Sequence, residues 1–214
     1  MPGETEEKAV VCIIDDDADV RDGLASLIRS VGLQAALFGS AEEFLRAAPP
    51  SAPCCLVLDV RLPGVSGLAF QAEFSKTKSN LPIVFITGHG DIPMSVKAIK
   101  AGAVEFLTKP FREQDLLDAV RLALERDRER RQSEGAVSDL RTRFESLTAR
   151  EREVVALVTM GRMNKQTAAE IGISEVTVKV HRHNAMQKLG AKSLVDLVRM
   201  ADSLGIRPDI PAAD

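Results

Sequence analysis

Apolar residues fall along the first 130 or so positions in five short runs: Ala9–Ile14, Gln34–Phe38, Cys54–Leu58, Pro82–Ile86 and Val104–Leu107. Between them, apolar residues recur at three- and four-residue spacing, which predicts helices over 18–31, 41–48, 66–77, 93–101 and 113–131. In the last of these, Leu116, Leu117, Val120 and Leu124 make one buried face. Strands alternating with helices call for right-handed crossovers, and hence a parallel sheet covered on both faces. Val10–Ile14 and Leu56–Leu58 are apolar throughout, as central strands of such a sheet should be.

After Leu124 the pattern gives way to Glu125-Arg126-Asp127-Arg128-Glu129-Arg130-Arg131-Gln132, then Ser133-Glu134-Gly135. This reads as a solvated helix end running into a helical, charged linker over 131–144. A second unit starts near Leu147. Thr148 followed by Glu151 is a capping box, in which each side chain satisfies a backbone amide left free at a helix start. Val154, Val155, Leu157 and Val158 follow, and three more helices are predicted over Lys165–Ile171, Glu175–Leu189 and Leu194–Leu204. Gly161, Gly172 and Gly190 stand where those helices should stop. The expected organisation is an α/β domain over 8–130, a linker over 131–144 and an all-α four-helix domain over 145–206, with Pro208–Asp214 as a frayed tail.

Composition narrows the picture. With no Trp or Tyr, Phe and aliphatic residues must build both cores. No apolar run approaches the ~20 residues that span a bilayer, and Met1–Lys8 is acidic and polar, unlike a secretory signal. A cytoplasmic protein without a membrane partner is expected. Cys12, Cys54 and Cys55 lie inside apolar runs rather than at metal-ligand spacing, and adjacent strand residues face opposite ways, so all three read as core filling. The net charge of -3 hides an asymmetry: Glu145 to Arg207 carries ten basic and seven acidic side chains, leaving the remainder acidic. Two domains with different partners would have this distribution.

The candidate chemistry lies at strand ends. Asp15, Asp16 and Asp17 follow the first strand and Asp59 ends the third. Ligands of open parallel sheets bind beyond the carboxyl ends of the strands, where strand order reverses. With order 2-1-3-4-5, strands one and three are neighbours there, so Asp15 and Asp16 face Asp59. Carboxylates so placed repel and need a cation, and all-oxygen ligation with room for water suits Mg2+. Thr87-Gly88 and Thr108-Lys109-Pro110 add a hydroxyl and an ammonium at the same edge. Hydroxyl, ammonium, cation and carboxylate together can move a phosphoryl group, with the carboxylate as nucleophile.

Ile14-Asp15-Asp16, Leu58-Asp59-Val60-Arg61-Leu62-Pro63-Gly64, Thr87-Gly88 and Lys109-Pro110-Phe111, in that order, resemble the receiver-domain signature of two-component response regulators. The resemblance covers about residues 8–130 and implies a flavodoxin-like doubly wound fold. It implies that Asp59 accepts phosphate from a sensor histidine kinase. Asp16, Asp59 and the Arg61 carbonyl would hold Mg2+, with Asp15 acting mainly through water. Thr87 would bind the phosphoryl group, Lys109 would be its counter-ion, and Phe106 would be the switch aromatic, against the plainer reading of a core Phe. Asp17 matches no metal role and reads as solvated or as a helix cap. The positions of Arg61 and His89 tune phosphate lifetime in such domains.

On the predicted helix 175–189, Val178, His181, Ala185 and Leu189 share one face, while Val176, Val180, His183 and Gln187 share the other, flanked by Lys179 and Asn184. Valines among cations and amides suit a major groove, where they meet thymine methyls. Arg182 falls near the core side with room to snorkel outward. His181 reads as a buried histidine hydrogen-bonded within the domain. Leu147-Thr148-Ala149-Arg150-Glu151-Arg152-Glu153-Val154, Asn164-Lys165-Gln166-Thr167-Ala168, Ser174-Glu175-Val176-Thr177-Val178-Lys179-Val180-His181 and Lys188-Leu189-Gly190-Ala191-Lys192-Ser193 resemble the LuxR/NarL-type helix-turn-helix. With the receiver motif, the chain is similar to the FixJ-type subgroup.

The second resemblance implies that Lys179, Val180 and His183 read bases in promoter DNA. Lys165, at a helix start, and Thr177 would touch the backbone. Related domains often carry Lys or another polar residue at the His183 position, so no base preference is carried over. Phosphorylation would drive a homodimer through the fourth helix and fifth strand and through the last helix with Leu194, Leu197 and Val198, residues that read equally as core, and RNA polymerase would be a further partner. Two other function classes make different demands on the sequence. An aspartyl-phosphate phosphatase would carry a second Asp where Arg61 stands, so no enzyme is expected. A regulator whose C-terminal domain binds protein would not need Lys179 and His183 for DNA.

Overall fold

The computed structural model describes residues 8–74, 76, 80–88 and 90–206. His89 and the tail Pro208–Asp214 lie outside the described residues, as do parts of the expected helix 66–77. The chain divides into two compact units, Met1–Arg131 and Gln132–Asp214.

The first unit is a five-stranded parallel sheet of order β2-β1-β3-β4-β5. Its strands are β1 (Val10–Ile14), β2 (Gln34–Phe38), β3 (Cys54–Asp59), β4 (Ile83–Thr87) and β5 (Glu105–Thr108). Central β3 and β4 are buried along their whole length, whereas the edge strands β2 and β5 are partly exposed. The period-two alternation of strands splits the core in two. Val11, Ile13, Cys55, Val57, Val84 and Ile86 pack against α1 (Ala18–Ser30) and α5 (Glu113–Glu145). Cys12, Ile14, Cys54, Leu56, Leu58 and Phe85 face α2 (Ala41–Arg46), α3 (Gly67–Phe74) and α4 (Ile92–Lys100). Cys54 and Cys55 thus fill opposite cores. On the second face, Phe38, Phe44, Phe70 and Phe74 form a chain of edge-on and stacked rings, taking up the volume that Trp and Tyr would otherwise fill.

The helices start where local capping permits. Asp17 accepts from the amides of Asp19 and Val20 at the head of α1, which makes it a cap. Ser40 and Asp91 do the same for α2 and α4.

Helix α5 takes in the helical linker as well as 113–131. It continues unbroken for 33 residues to Glu145, through the stretch read as a linker. No Pro interrupts 113–145, and its one glycine, Gly135, costs only about 1 kcal/mol in a helix interior. The charge run is not simply solvated: Asp127 is fully buried.

The second unit adds α6 (Ala149–Thr159), α7 (Asn164–Ile171), α8 (Glu175–Leu189) and α9 (Leu194–Ser203) to the last turns of α5. Leu147, Val155, Ala185, Leu189 and Leu197 form one small core with Leu140 and Phe144 of α5. Val154, Val158, Ala168 and Val178 form another. The capping box is present: Glu151 N donates to Thr148 Oγ1 and Thr148 N to Glu151 Oε2. Gly172 and Gly190 end α7 and α8 in the left-handed conformation, with φ of 70° and 78°. No described helix is long and apolar enough to cross a membrane.

Candidate functional site

Strand ends build the first site. The β1–β3 pairing sets Ile14 beside Leu58, so that Asp15 and Asp59 leave the sheet side by side. Asp15, Asp16 and Asp59 each offer a carboxylate oxygen within 4.8 Å of the other two. Asp15 and Asp59 are buried and Asp16 is exposed. Oxygens sharing one Mg2+ at about 2.1 Å lie about 3 to 4 Å apart, so this donor set fits the ion after small side-chain rotations.

Lys109, at the end of β5, donates from Nζ to Asp15 Oδ2 at 2.8 Å and to Asp59 Oδ2 at 3.4 Å. Its place follows from the β4–β5 register, which pairs Thr87 with Thr108, and from its backbone N–H donating to the Thr87 carbonyl at 2.7 Å. Burial alone would pull the Lys109 ammonium down, but the carboxylates of Asp15 and Asp59 override it and hold it above its ordinary value. Burial pushes the Asp59 carboxyl up, with the charge of Asp15 acting in the same sense. The backbone N–H of Arg61, 3.1 Å from Asp59 Oδ1, and the Lys109 ammonium oppose this without cancelling it.

Thr87 is fully buried at the end of β4. Phe106 is half-buried, with its ring 6.2 Å from that of Phe85, so it is neither a fully buried core residue nor a solvated one. Arg61 is exposed.

Three residues that the sequence reading passed over shape this site. Arg21, on α1, donates from Nη1 to the Asp15 carbonyl at 2.5 Å, pinning the acidic loop. A Cβ on Gly67 would lie 2.5 Å from the Asp59 carbonyl oxygen, so only glycine lets α3 come this close to the acceptor. A Cβ on Gly90 would lie 2.8 Å from both Phe106 Cε1 and Thr108 Cγ2, and 3.0 Å from Thr87 Cγ2. A single glycine at a helix start, as at Gly67, or in a loop, as at Gly90, is too common a signal to have marked either position.

The second site is the outer face of α8. Val178, Ala185 and Leu189 are buried, while Val176 and Val180 are 70% and 51% exposed. Lys179, His183, Asn184 and Gln187 are exposed beside them, and Thr177 is half-buried, its hydroxyl 2.8 Å from that of Ser174. Lys165 is exposed one residue inside the start of α7. One expectation is corrected. His181 is half-buried, because it sits about 60° around the helix from Val178, at the margin of the buried stripe, and its imidazole makes no hydrogen bond among the described residues. Of the two readings open to Leu197, core or dimer surface, it takes the first, fully buried within its own unit, whereas Leu194 and Val195 are exposed.

Two family models match the chain: "Response regulator receiver domain" over residues 11–121 and "Bacterial regulatory proteins, luxR family" over 145–201. Among curated proteins, Nodulation protein W of Bradyrhizobium diazoefficiens is 54% identical over 203 residues, 95% of this chain and 89% of that protein. The response regulator protein TodT of Pseudomonas putida is 50% identical over 200 residues, 94% of this chain and 88% of that protein. Among solved structures, the response regulator StyR is 51% identical with a TM-score of 0.76, covering 91% of this chain and 98% of that one.

Proposed function

The chain belongs to the response regulators that join a receiver domain to a LuxR-type DNA-binding domain, and from that premise we propose how its own residues carry the signal. Asp59 takes a phosphoryl group from a sensor histidine kinase. The supporting observation is that a nearly buried carboxylate at a strand end has an ammonium at 3.4 Å and two further carboxylates within 4.8 Å.

Asp16, Asp59 and the Arg61 carbonyl would hold Mg2+, with Asp15 acting through water. The ion would supply positive charge against the transferring oxygens. Lys109 neutralises charge on the phosphoryl group from the β5 side, and Thr87 offers its hydroxyl from β4. In this mechanism Asp59 attacks the phosphorus of the phosphohistidine. The P–N bond breaks, the acyl phosphate forms, and the histidine nitrogen leaves with its electron pair. Phe106 moves with Thr87 and changes the surface of α4 and β5.

Residues 8–130 serve as this switch, and 145–206 bind promoter DNA through Lys179, Val180 and His183, with Lys165 and Thr177 on the backbone. The chemistry sets a binding equilibrium and not catalytic turnover. A homodimer that places two copies of α8 on neighbouring half-sites would raise affinity and specificity. The output is transcription regulation in the cytoplasm, most simply activation through RNA polymerase.

The test is acid-labile labelling by acetyl phosphate with Mg2+, followed by DNA binding. Wild type should label, dimerise and bind promoter DNA more tightly, and Asp59→Asn should do none of these. Labelling of Asp59→Asn would overturn the acceptor assignment. Equal DNA affinity with and without phosphate would overturn the switch.

A further inference from the structure

Four of the nine described cations over residues 145–206 have carboxylate partners. Arg150 lies 2.7 Å from Glu153, Arg162 3.9 Å from Glu170, Lys179 3.2 Å from Glu175 and Lys188 2.7 Å from Glu151. Of the five described cations there without one, Arg152, Lys165, Lys192 and Arg199 are exposed and Arg182 is not. It is half-buried on α8, and its guanidinium donates from Nη1 to the amide oxygen of Asn164 at 3.1 Å. That oxygen is neutral and satisfies one of five N–H donors. No carboxylate pairs with Arg182 among the described residues.

The place to which Arg182 reaches is also electropositive. Asn164 is the first residue of α7; there the N-cap Met163 donates its N–H to Gln166 Oε1 at 2.8 Å but has no side-chain oxygen to offer the first-turn amides. The positive end of the helix dipole points the same way. Lys165, exposed and without a carboxylate partner among the described residues, adds a second cation. A guanidinium withdrawn from water, held at a helix start and given no anion by its own domain, is a binding group for an external anion. The oxyanion that a DNA-reading unit meets in every complex is a backbone phosphate.

We propose that Arg182, held in place by Asn164, is a phosphate-contacting residue that positions α8 on DNA. This rests on the DNA-binding reading above and adds a sequence-independent contact to it. Arg182 then contributes to affinity without contributing to base choice, and it locks the register of α8 through the start of α7. A competing role is a purely internal brace between α7 and α8.

The experiment uses the full chain with two fluorescent duplexes, one carrying a site selected from a random pool and one scrambled, over a series of KCl concentrations. Arg182→Met should weaken binding to both duplexes by a similar factor. It should also make the slope of log K against log salt shallower by about 0.9, as expected for one lost phosphate contact. Arg182→Lys should keep the wild-type slope. Circular dichroism and thermal melting confirm that each variant is folded. An unchanged salt slope in folded Arg182→Met would overturn the proposal in favour of the brace. Loss confined to the selected duplex would overturn it in favour of base reading. If the wild type binds neither duplex, the DNA-binding reading itself falls, and this inference with it.

Discussion

The carboxylate of Asp127, fully buried on α5, accepts Arg131 Nε at 2.6 Å. It also takes Arg130 Nη2 at 2.6 Å and the backbone N–H of Cys54, at the start of β3, at 2.8 Å. The other nitrogens of Arg131 reach the carbonyls of Ser51 and Pro50 at 2.6 and 3.0 Å. The charge run after Leu124 thus ties α5 to the end of the sheet opposite the acidic site. Asp127→Ala would leave two cations and a buried amide without their shared partner. It should destabilise the receiver unit by about 3 kcal/mol, read as a lower urea midpoint by circular dichroism. A loss below about 0.5 kcal/mol, the size of an ordinary surface substitution, would show that the cluster is dispensable.

The same cluster makes an acid-stability prediction. Burial alone would raise the Asp127 carboxyl, but the Cys54 N–H and the two guanidiniums override it and hold it below the usual Asp range. A depressed folded-state value means that the stabilisation is complete above the unfolded Asp value of about 3.9 and is lost as pH falls through the folded value. The urea midpoint of the wild type should therefore decline below about pH 4. Asp127→Asn should begin lower and decline less. Parallel wild-type and variant curves would contradict this.

The Lys109 ammonium contacts both Asp15 and Asp59. Lys109→Met should keep the fold, because the side chain is partly exposed, yet lose charge stabilisation during phosphoryl transfer. Acceptance of phosphate from acetyl phosphate should slow about a hundredfold, the scale of removing one such donor. A rate within a factor of two of the wild type would remove Lys109 from the chemistry.

Gly90 permits close packing over Phe106. Gly90→Ala would bring a methyl group to 2.8 Å from Phe106 Cε1 and Thr108 Cγ2, so the ring or the loop must shift. The aromatic signals of Phe106 should move in NMR spectra of the unphosphorylated variant, and the phosphate dependence of dimerisation should change with them. Ring signals identical to those of the wild type would show that the loop gives way instead.

The recognition helix offers a graded test. Val180 is half-exposed on the face that carries Lys179 and His183. Val180→Ala should cost about 1 kcal/mol at the selected site, at the low end for a base mismatch, and leave binding to scrambled DNA unchanged. An equal loss on both duplexes would make Val180 a structural residue rather than a reader of bases.

Much of the fold was legible because its causes are local. Alternation with period two sends Cys54 and Cys55 into opposite cores, and Asp17, Ser40, Thr148 and Ser174 mark helix starts by capping amides a few residues away. Where the local signal was weak, the reading failed. The charge run after Leu124 did not stay solvated, since Asp127 is buried against Cys54, and the margin of a helical stripe did not bury His181.

By itself the sequence determined the order of strands and helices, the two faces of the sheet, and the presence of Asp15, Asp16, Asp59, Thr87 and Lys109 at strand ends, since each depends on neighbours within a few residues. Tertiary structure alone decided which groups meet. Lys109 finds Asp15 across 94 residues and Asp59 across 50. Asp127 finds Cys54 across 73, and Arg182 finds Asn164 across 18. Such contacts leave no periodic trace, because a salt bridge, a hydrogen bond or a close glycine contact needs only one residue from each segment. Their geometry exists only once the sheet order and helix packing have brought those segments together.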